Sequence, residues 1–434
     1  MRNFRIWTGI VAAFAAAALV ACGGGGKGSS GDSANVRLIN ATLTHASLSL
    51  LANASTVVTA TAVDTASAYV NVPAGSPTLQ INDSASGAVL ATTAPTVTKG
   101  QHFALLAYES GGNVRTAVIA EDTAAPTTGT AALRIFDTAT DAGAVDVYVT
   151  DPAVDITTLS SPTFTFASST SVQASALLSF GPGTYRVRVT GAGNATDLRL
   201  DIPSVVLANQ NIASVILTPT TGGTLANGAM LLQQGTYAAT RNTSARVRLA
   251  AAVSGNASVT AAAGGISIGT AVVAPAIGAY TNVAAGSAIN ISVNGASIGA
   301  PAAALTAGSD TTLLVYGNAG SATATLIADD NHLPSVATNF KLRLLNGVTG
   351  AAAPLTLDVN FAVVASNVTP GSASSYAVVA AGTAGTLTQI SVTSPASLLA
   401  FYGPVNVPIP GNSVFTLFML GDASAPSGLL RKDR

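Results

Sequence analysis

The sequence predicts an all-β protein, four tandem antiparallel β-sandwich domains, and three observations lead there. Hydrophobic residues make up 48% of the chain and charged residues only 9%. The apolar share is mostly Ala and Val mixed with Thr, Ser and Gly, the composition of many short strands and turns. Beyond residue 20 no apolar run approaches membrane length and no segment carries a helical period. Finally, the chain repeats itself at long intervals, and each repeat has strand-like alternation.

The first element precedes the repeats. A short basic start (Arg2, Arg5) leads into an apolar run from Ile6 to Val20, then Ala21 and the single cysteine, Cys22. This is the three-part layout of a secretory signal, and fifteen residues at about 1.5 Å each are too few to span a bilayer comfortably. "LVAC" resembles the lipobox of bacterial lipoproteins, which implies cleavage before Cys22, acylation of its thiol and anchoring in a membrane. The alternatives are an ordinary signal peptide with a chance cysteine, or a core thiol. A lone cysteine in an exported chain has no internal disulfide partner, and lipidation gives it a role.

Residues 22–33 then read as a Gly/Ser tether. Gly23, Gly25 and Gly28 satisfy G-x-G-x-x-G, and Lys27 gives a near miss to a P-loop. No strand precedes them and no helix follows, so a phosphate loop lacks its context. Gly23 rather than Asp after the cysteine implies, by the sorting rule of such lipoproteins, the outer membrane, with the body facing either the periplasm or the outside.

The repeats come next. "NVRLIN" (35–40), "ALRIFD" (132–137), "RVRLAA" (246–251) and "KLRLLN" (341–346) each set one arginine between aliphatic residues. "YVNVPAG" (69–75), "YTNVAAG" (280–286) and "YAVVAAG" (376–382), with "LLSFGPG" (177–183) in the second copy, read as strands running into a Gly-closed turn. "GQHFALLAYESGG" (100–112) matches "GSDTTLLVYGNAG" (308–320) and "GNSVFTLFMLGDA" (411–423), and the copies close on "VIAED" (118–122), "LIADD" (326–330) and "LLRKD" (429–433). From Gly100, Gly308 and Gly411 to Glu121, Asp329 and Lys432 the interval is 21 residues each time.

Arg37, Arg134, Arg248 and Arg343 therefore mark four units of roughly 100 residues, too long for solenoid repeats and large enough to fold alone, as beads on a string. The expected units are 34–124, 131–238 with an insertion near 150–175, 244–332 and 339–434, after a signal at 1–21. In the first unit, strands are expected near 36–40, 48–51, 57–62, 68–72, 78–82, 89–92, 103–108 and 115–120. Gly, Pro, Asn and Asp fill the gaps, as in an antiparallel sandwich with Greek-key connections. "AALRIFDTATDAGAVDVYV" (131–149) and "FGPGTYRVRVTGAG" (180–193) resemble the tandem family catalogued as domain of unknown function 4397, the second unit best. That resemblance implies a sandwich of immunoglobulin or prealbumin type in a cell-envelope protein, and no reaction.

Several function classes find little support. The 18 basic residues, less Arg2 and Arg5, face 19 acidic ones, which leaves no basic excess for nucleic acid. Gly265–Gly269 and Gly295–Gly299 both read G-x-S-x-G, but Ser267 and Ser297 lie where strands and hairpins are expected rather than on a strand-turn-helix elbow. His45, His102 and His332 are the only histidines, and none has a partner at metal-ligand spacing. Asp137, Asp141, Asp146, Asp151 and Asp155 lack the ladder and glycine of a calcium loop and read as solvated carboxylates. No cofactor is implied.

What remains is a choice among contacts. The four arginines face away from the aliphatic side of their strands, either with the head in water or on a carboxylate, or as a repeated ligand contact. Glu121-Asp122 and Asp329-Asp330 are acidic linker residues or partners for them. Tyr148, Tyr185, Tyr237 and Tyr402 are the candidate carbohydrate platforms. The arginine-to-glycine interval is 38, 49, 38 and 39 residues in the four units, so the second carries an insertion, and Phe164 and Phe166 on it form an apolar ridge for a partner, or else extend the core. The reading is a non-enzymatic, lipid-anchored envelope protein, a spacer or an interaction and adhesion array with an unidentified envelope or surface protein partner. The alternatives are a small-ligand or glycan-binding module, or a serine hydrolase.

Overall fold

In every unit the arginine strand runs between two partners, one of them parallel to it. The computed structural model describes residues 32–350, 354–383, 386–395 and 400–434. The signal, Cys22 and nearly all of the tether lie outside the described residues. The arginine strands are Ser33–Asn40, Ala131–Asp137, Ser244–Val253 and Asn339–Thr349, the first starting on the last residue of the expected tether. Their parallel partners are the central strands His102–Ser110, Ile212–Pro219, Asp310–Gly317 and Ser413–Asp422. Each central strand pairs antiparallel with a closing strand: Asn113–Ala120, Ala226–Leu232, Thr323–Asp329 and Ser427–Lys432.

The second sheet of each unit is fully antiparallel and four-stranded. In the first unit it orders Ser55–Ala62, Ser47–Ala52, Leu79–Asp83 and Val89–Thr93. A parallel pair needs a long crossover, and this sheet supplies it. The chain is all-β in tandem sandwiches, as composition and alternation require, with one parallel pair per unit added to the antiparallel plan. No helix among the described residues is long and apolar enough to cross a membrane.

Alternation builds four cores. Val36 and Leu38 face Leu48, Leu50 and Ile81 across the first sandwich. The equivalent faces enclose Leu133 with Val147 and Val189, Leu249 with Val259 and Ile291, and Leu342 with Leu357 and Val392. The opposite faces of the arginine strands are buried too. Ile39 packs with Leu106 and Ile119 of the first unit and with Phe136, Ile216 and Leu231 of the second. Ala250, Ala252 and Leu314 of the third unit pack with Leu345, Phe418 and Leu420 of the fourth. The units are therefore two sheet-on-sheet pairs, first with second and third with fourth, rather than beads on a string. Gly347 marks how close the approach is, since a Cβ there would stand 2.8 Å from Ala252 Cβ.

The two pairs also meet. Gly222 N donates to Gly308 O at 2.8 Å, Asn331 N donates to Gly222 O at 3.1 Å, and Leu333 N donates to Asp141 Oδ1 at 3.0 Å. A Cβ on Gly222 would lie 2.3 Å from the Asp310 nitrogen, so this junction requires glycine. Arg241, in the connection after the second unit, reaches back to Asp64 of the first at 2.8 Å.

Candidate functional site

Register brings each recurring arginine beside one central-strand residue: Arg37 beside Ala104, Arg134 beside Ser214, Arg248 beside Thr312 and Arg343 beside Thr416. The hydroxyls accept from arginine Nε at 3.0 Å (Ser214), 2.9 Å (Thr312) and 3.1 Å (Thr416). Two residues past the partner on the closing strand stand Glu121, Gln233, Asp329 and Asp433. On the other side, register sets Tyr69, Tyr280 and Tyr376 beside Arg37, Arg248 and Arg343, with Leu177 in the second unit. The guanidinium carbons lie 5.0, 4.5 and 4.6 Å from those tyrosine rings.

The acids complete the clusters across unit boundaries. Arg343 of the fourth unit pairs with Asp329 of the third and donates to Ala328 O at 2.7 Å. Arg248 of the third unit donates to Asp433 of the fourth at 2.5 Å and lies 3.5 Å from Asp329. Tyr280 Oη donates to Asp329 at 2.5 Å, and Thr312 and Thr416 donate to Asp329 and Asp433 at 2.7 and 2.5 Å. Two cations and two anions thus neutralise one another in a swapped arrangement. Burial opposes the charge on Arg248 and Arg343, yet the adjoining carboxylates and tyrosine hydroxyls hold both pKa values above the ordinary arginine range. Burial and Asp329 push Tyr280 well up, so its hydroxyl stays a donor.

The first pair repeats the scheme with one acid. Ala104 has no hydroxyl, and the longer Glu121 fills the gap, accepting from Arg37 Nε at 2.9 Å and pairing with Nη2. Arg37 Nη1 also donates to Gly235 O of the second unit at 2.5 Å. Arg134 answers with a bond to Ala120 O at 2.9 Å but has no acid, because Gln233 holds that position and bonds Thr123 instead. The arginines are consequently internal ties and not a ligand contact. In the fourth unit the 21-residue spacing points to Lys432, whereas Asp433 is the ion-pair partner. The fourth unit has one residue more between Gly411 and Thr416, the residue beside its arginine, than the first and third have between Gly100 and Ala104 and between Gly308 and Thr312.

Other candidates fall into place around this frame. Phe166 is buried in the second core and Phe164 packs against it, on a short strand, Phe164–Phe166, paired with Val145–Thr150. The expected ridge is part of the core, because the insertion adds an edge strand instead of a free loop. Tyr148 is buried, Tyr185 packs on Phe180 and donates to Gly181 O, and Tyr237 and Tyr402 pack on apolar clusters, so none stands out as a platform. Ser267 lies in the strand Ile266–Val273 and Ser297 in Ala296–Ile298, each in an antiparallel hairpin. His332 Nδ1 lies 2.6 Å from Asp330 and Nε2 lies 2.9 Å from Thr220 O, tying the second pair to the first. Burial disfavours its charged form, but Asp330 and Asp141 outweigh this and raise its pKa.

Among the acids, Asp141 holds the Leu333 amide, Asp146 holds Thr165 and Gly193, and Asp155 caps a 3-10 turn through Thr157. Among the described residues no group of three or more metal-ligating side chains converges. Two clefts of about 590 Å³ open where the units meet. One lies among Glu109, His332, Lys341 and Tyr376, the other among Arg199, Arg246, Asp433 and Arg434.

Comparison with known proteins gives the family. The family model described as domain of unknown function DUF4397 matches residues 34–148 and 245–353, just over half of the chain. The chain belongs to the DUF4397 family. Each match runs through one complete unit and into the arginine strand of the next; residues 131–148 of the second unit fall within the first match, and 180–193 fall in neither. No curated protein matches. Among solved structures, the Bacillus anthracis TIE protein is similar at 10% identity and a TM-score of 0.13, over 92% of this chain and 75% of that one. The pilus adhesin SpaC from Lactobacillus rhamnosus GG is similar at 12% identity and a TM-score of 0.12, over 68% of this chain and 42% of its own.

Proposed function

We propose that this DUF4397 protein is a non-enzymatic, lipid-anchored cell-envelope protein whose paired sandwiches form a stiff spacer that presents an interaction surface. The observation that carries the reading is the fate of the repeated charges. The recurring arginines are spent on locking units together, where a repeated binding site would leave them facing solvent. Buried ion pairs add little net stability but penalise misaligned neighbours, because a slipped unit strands a charge. An array built this way keeps its shape under load.

Anchoring through Cys22 follows from the apolar run that ends on it. Acyl chains would hold the array on a membrane, and the Gly/Ser tether would hold it off the surface. Cys22→Ala should abolish incorporation of labelled palmitate in growing cells and release the protein from the membrane fraction or leave its signal uncleaved. Undiminished labelling of the variant would overturn the anchor.

A further inference from the structure

The second cleft, of about 590 Å³, lies where the second, third and fourth units meet, and guanidinium groups from all three reach it: Arg199, Arg246 and Arg434. Two of them are neutralised locally. Arg199 pairs with Asp197 at 2.7 Å and donates to Ala142 O, and Arg246 pairs with the buried Asp310 at 3.0 Å. Asp433 lines the same cleft, but its carboxylate is taken by Arg248 and Thr416, each at 2.5 Å.

Arg434 is left over. Among the described residues its guanidinium forms no hydrogen bond and no ion pair. It rests on the backbone of Gly143, where a Cβ would stand 2.8 Å from Nη2. Asp141 draws on it electrostatically without closing a pair; Oδ1 accepts from Leu333 N at 3.0 Å, and Oδ2 is buried without a partner. Burial and the neighbouring Arg199 and Arg246 lower the Arg434 pKa to about 10, which still leaves it charged at neutral pH. A half-buried guanidinium with two other guanidinium groups beside it and no ion-pair partner is electrostatically unfavourable. A guanidinium fork matches the oxygens of a carboxylate or phosphate, and the cleft is many times the roughly 30 Å³ of a water.

We propose that this cleft binds a small tetrahedral oxyanion of the phosphate or sulfate class, held by Arg434 and flanked by Arg199 and Arg246. The anion supplies the counter-charge that no side-chain carboxylate of the cleft provides, since Asp197 is paired with Arg199 and Asp433 with Arg248. It arrives either as the free ion or as the phosphate of a monoester, because the cleft is open to solvent. Binding would cross-link the two pairs, since Arg199 belongs to the first pair and Arg246 and Arg434 to the second.

The test is calorimetric titration of the full chain at low ionic strength with inorganic phosphate and, separately, with glycerol 3-phosphate. Saturable binding of at least one of them is expected, weakened at least about tenfold by Arg434→Gln. Asp141→Asn, which keeps the arginine and removes the competing charge, should tighten it. Equal affinities would mark the free ion as sufficient, and tighter binding of the ester would place the phosphate on a larger molecule. No saturable binding, binding that Arg434→Gln leaves intact, or Asp141→Asn that fails to tighten it would overturn the site.

Discussion

Replacing Arg343 with Met should cost the full chain about 3 kcal/mol or more in urea unfolding, because it leaves one member of a buried ionic cluster without its partner. The Arg343 and Asp329 side chains are 2% and 0% exposed, so water cannot replace the lost guanidinium. Asp329 would keep Tyr280, Thr312 and a longer contact to Arg248, which holds the cost near the lower end of the range for broken buried pairs. Arg134→Met is the control. Among the described residues its guanidinium bonds only Ser214 and the Ala120 carbonyl, so its removal strands no carboxylate and should cost about 1.5–3 kcal/mol, the range for hydrogen bonds to a charged group. Equal losses in the two variants would remove the carboxylates from the explanation.

Asp137→Asn should stabilise the protein at neutral pH by about 3 kcal/mol, an increment set by the roughly two-unit rise in the aspartate's pKa. Burial pushes the Asp137 carboxyl up to about 6, opposed only by the hydrogen bond from Ala139 N. The folded state therefore favours the protonated acid. No penalty exists below about pH 4; it grows as pH rises towards the folded pKa and is fully present at pH 7. Asn40 and Asn346 occupy the same position of the first and fourth arginine strands. They donate Nδ2 to Thr61 O at 3.1 Å and Val368 O at 2.9 Å, a bond an ionised Asp cannot make. Thermal unfolding across pH 4–8 checks this. The variant and wild type should converge at the acid end, and a constant difference would show that the carboxylate is not the cause.

Much of the fold was legible in the sequence because a strand period of two is a local signal. "NVRLIN" and "KLRLLN" show their alternation within six residues, and Gly-closed turns punctuate it. The parallel pairing of Arg37 with Ala104 was not legible, since alternation carries no direction. The pairing of units was missed for a related reason. One charged residue on a face suggests solvent, yet Ile39, Phe136, Ala250 and Leu345, two residues after each arginine, are all apolar on that same face. That second apolar face was the available signal that the arginines are buried.

The acids were seen as possible partners of the arginines, but their exchange between units depends on how the sheets stack. Phe164 and Phe166 were read from the same kind of alternation, which cannot tell an exposed ridge from an edge strand folded onto the core. The clefts were beyond reach, because Arg199, Arg246 and Arg434 are far apart in sequence and meet only when the pairs dock.

Hydrogen exchange on the full-length Arg343→Met protein tests the pairing most directly. Arg343 lies in the fourth unit and Asp329 in the third. If the two units are one locked body, protection should fall together across Asp310–Gly317 and Thr323–Asp329 of the third unit and Ser413–Asp422 of the fourth, with the first pair unchanged. Loss of protection confined to the fourth unit would show that the units fold separately and would contradict the paired array.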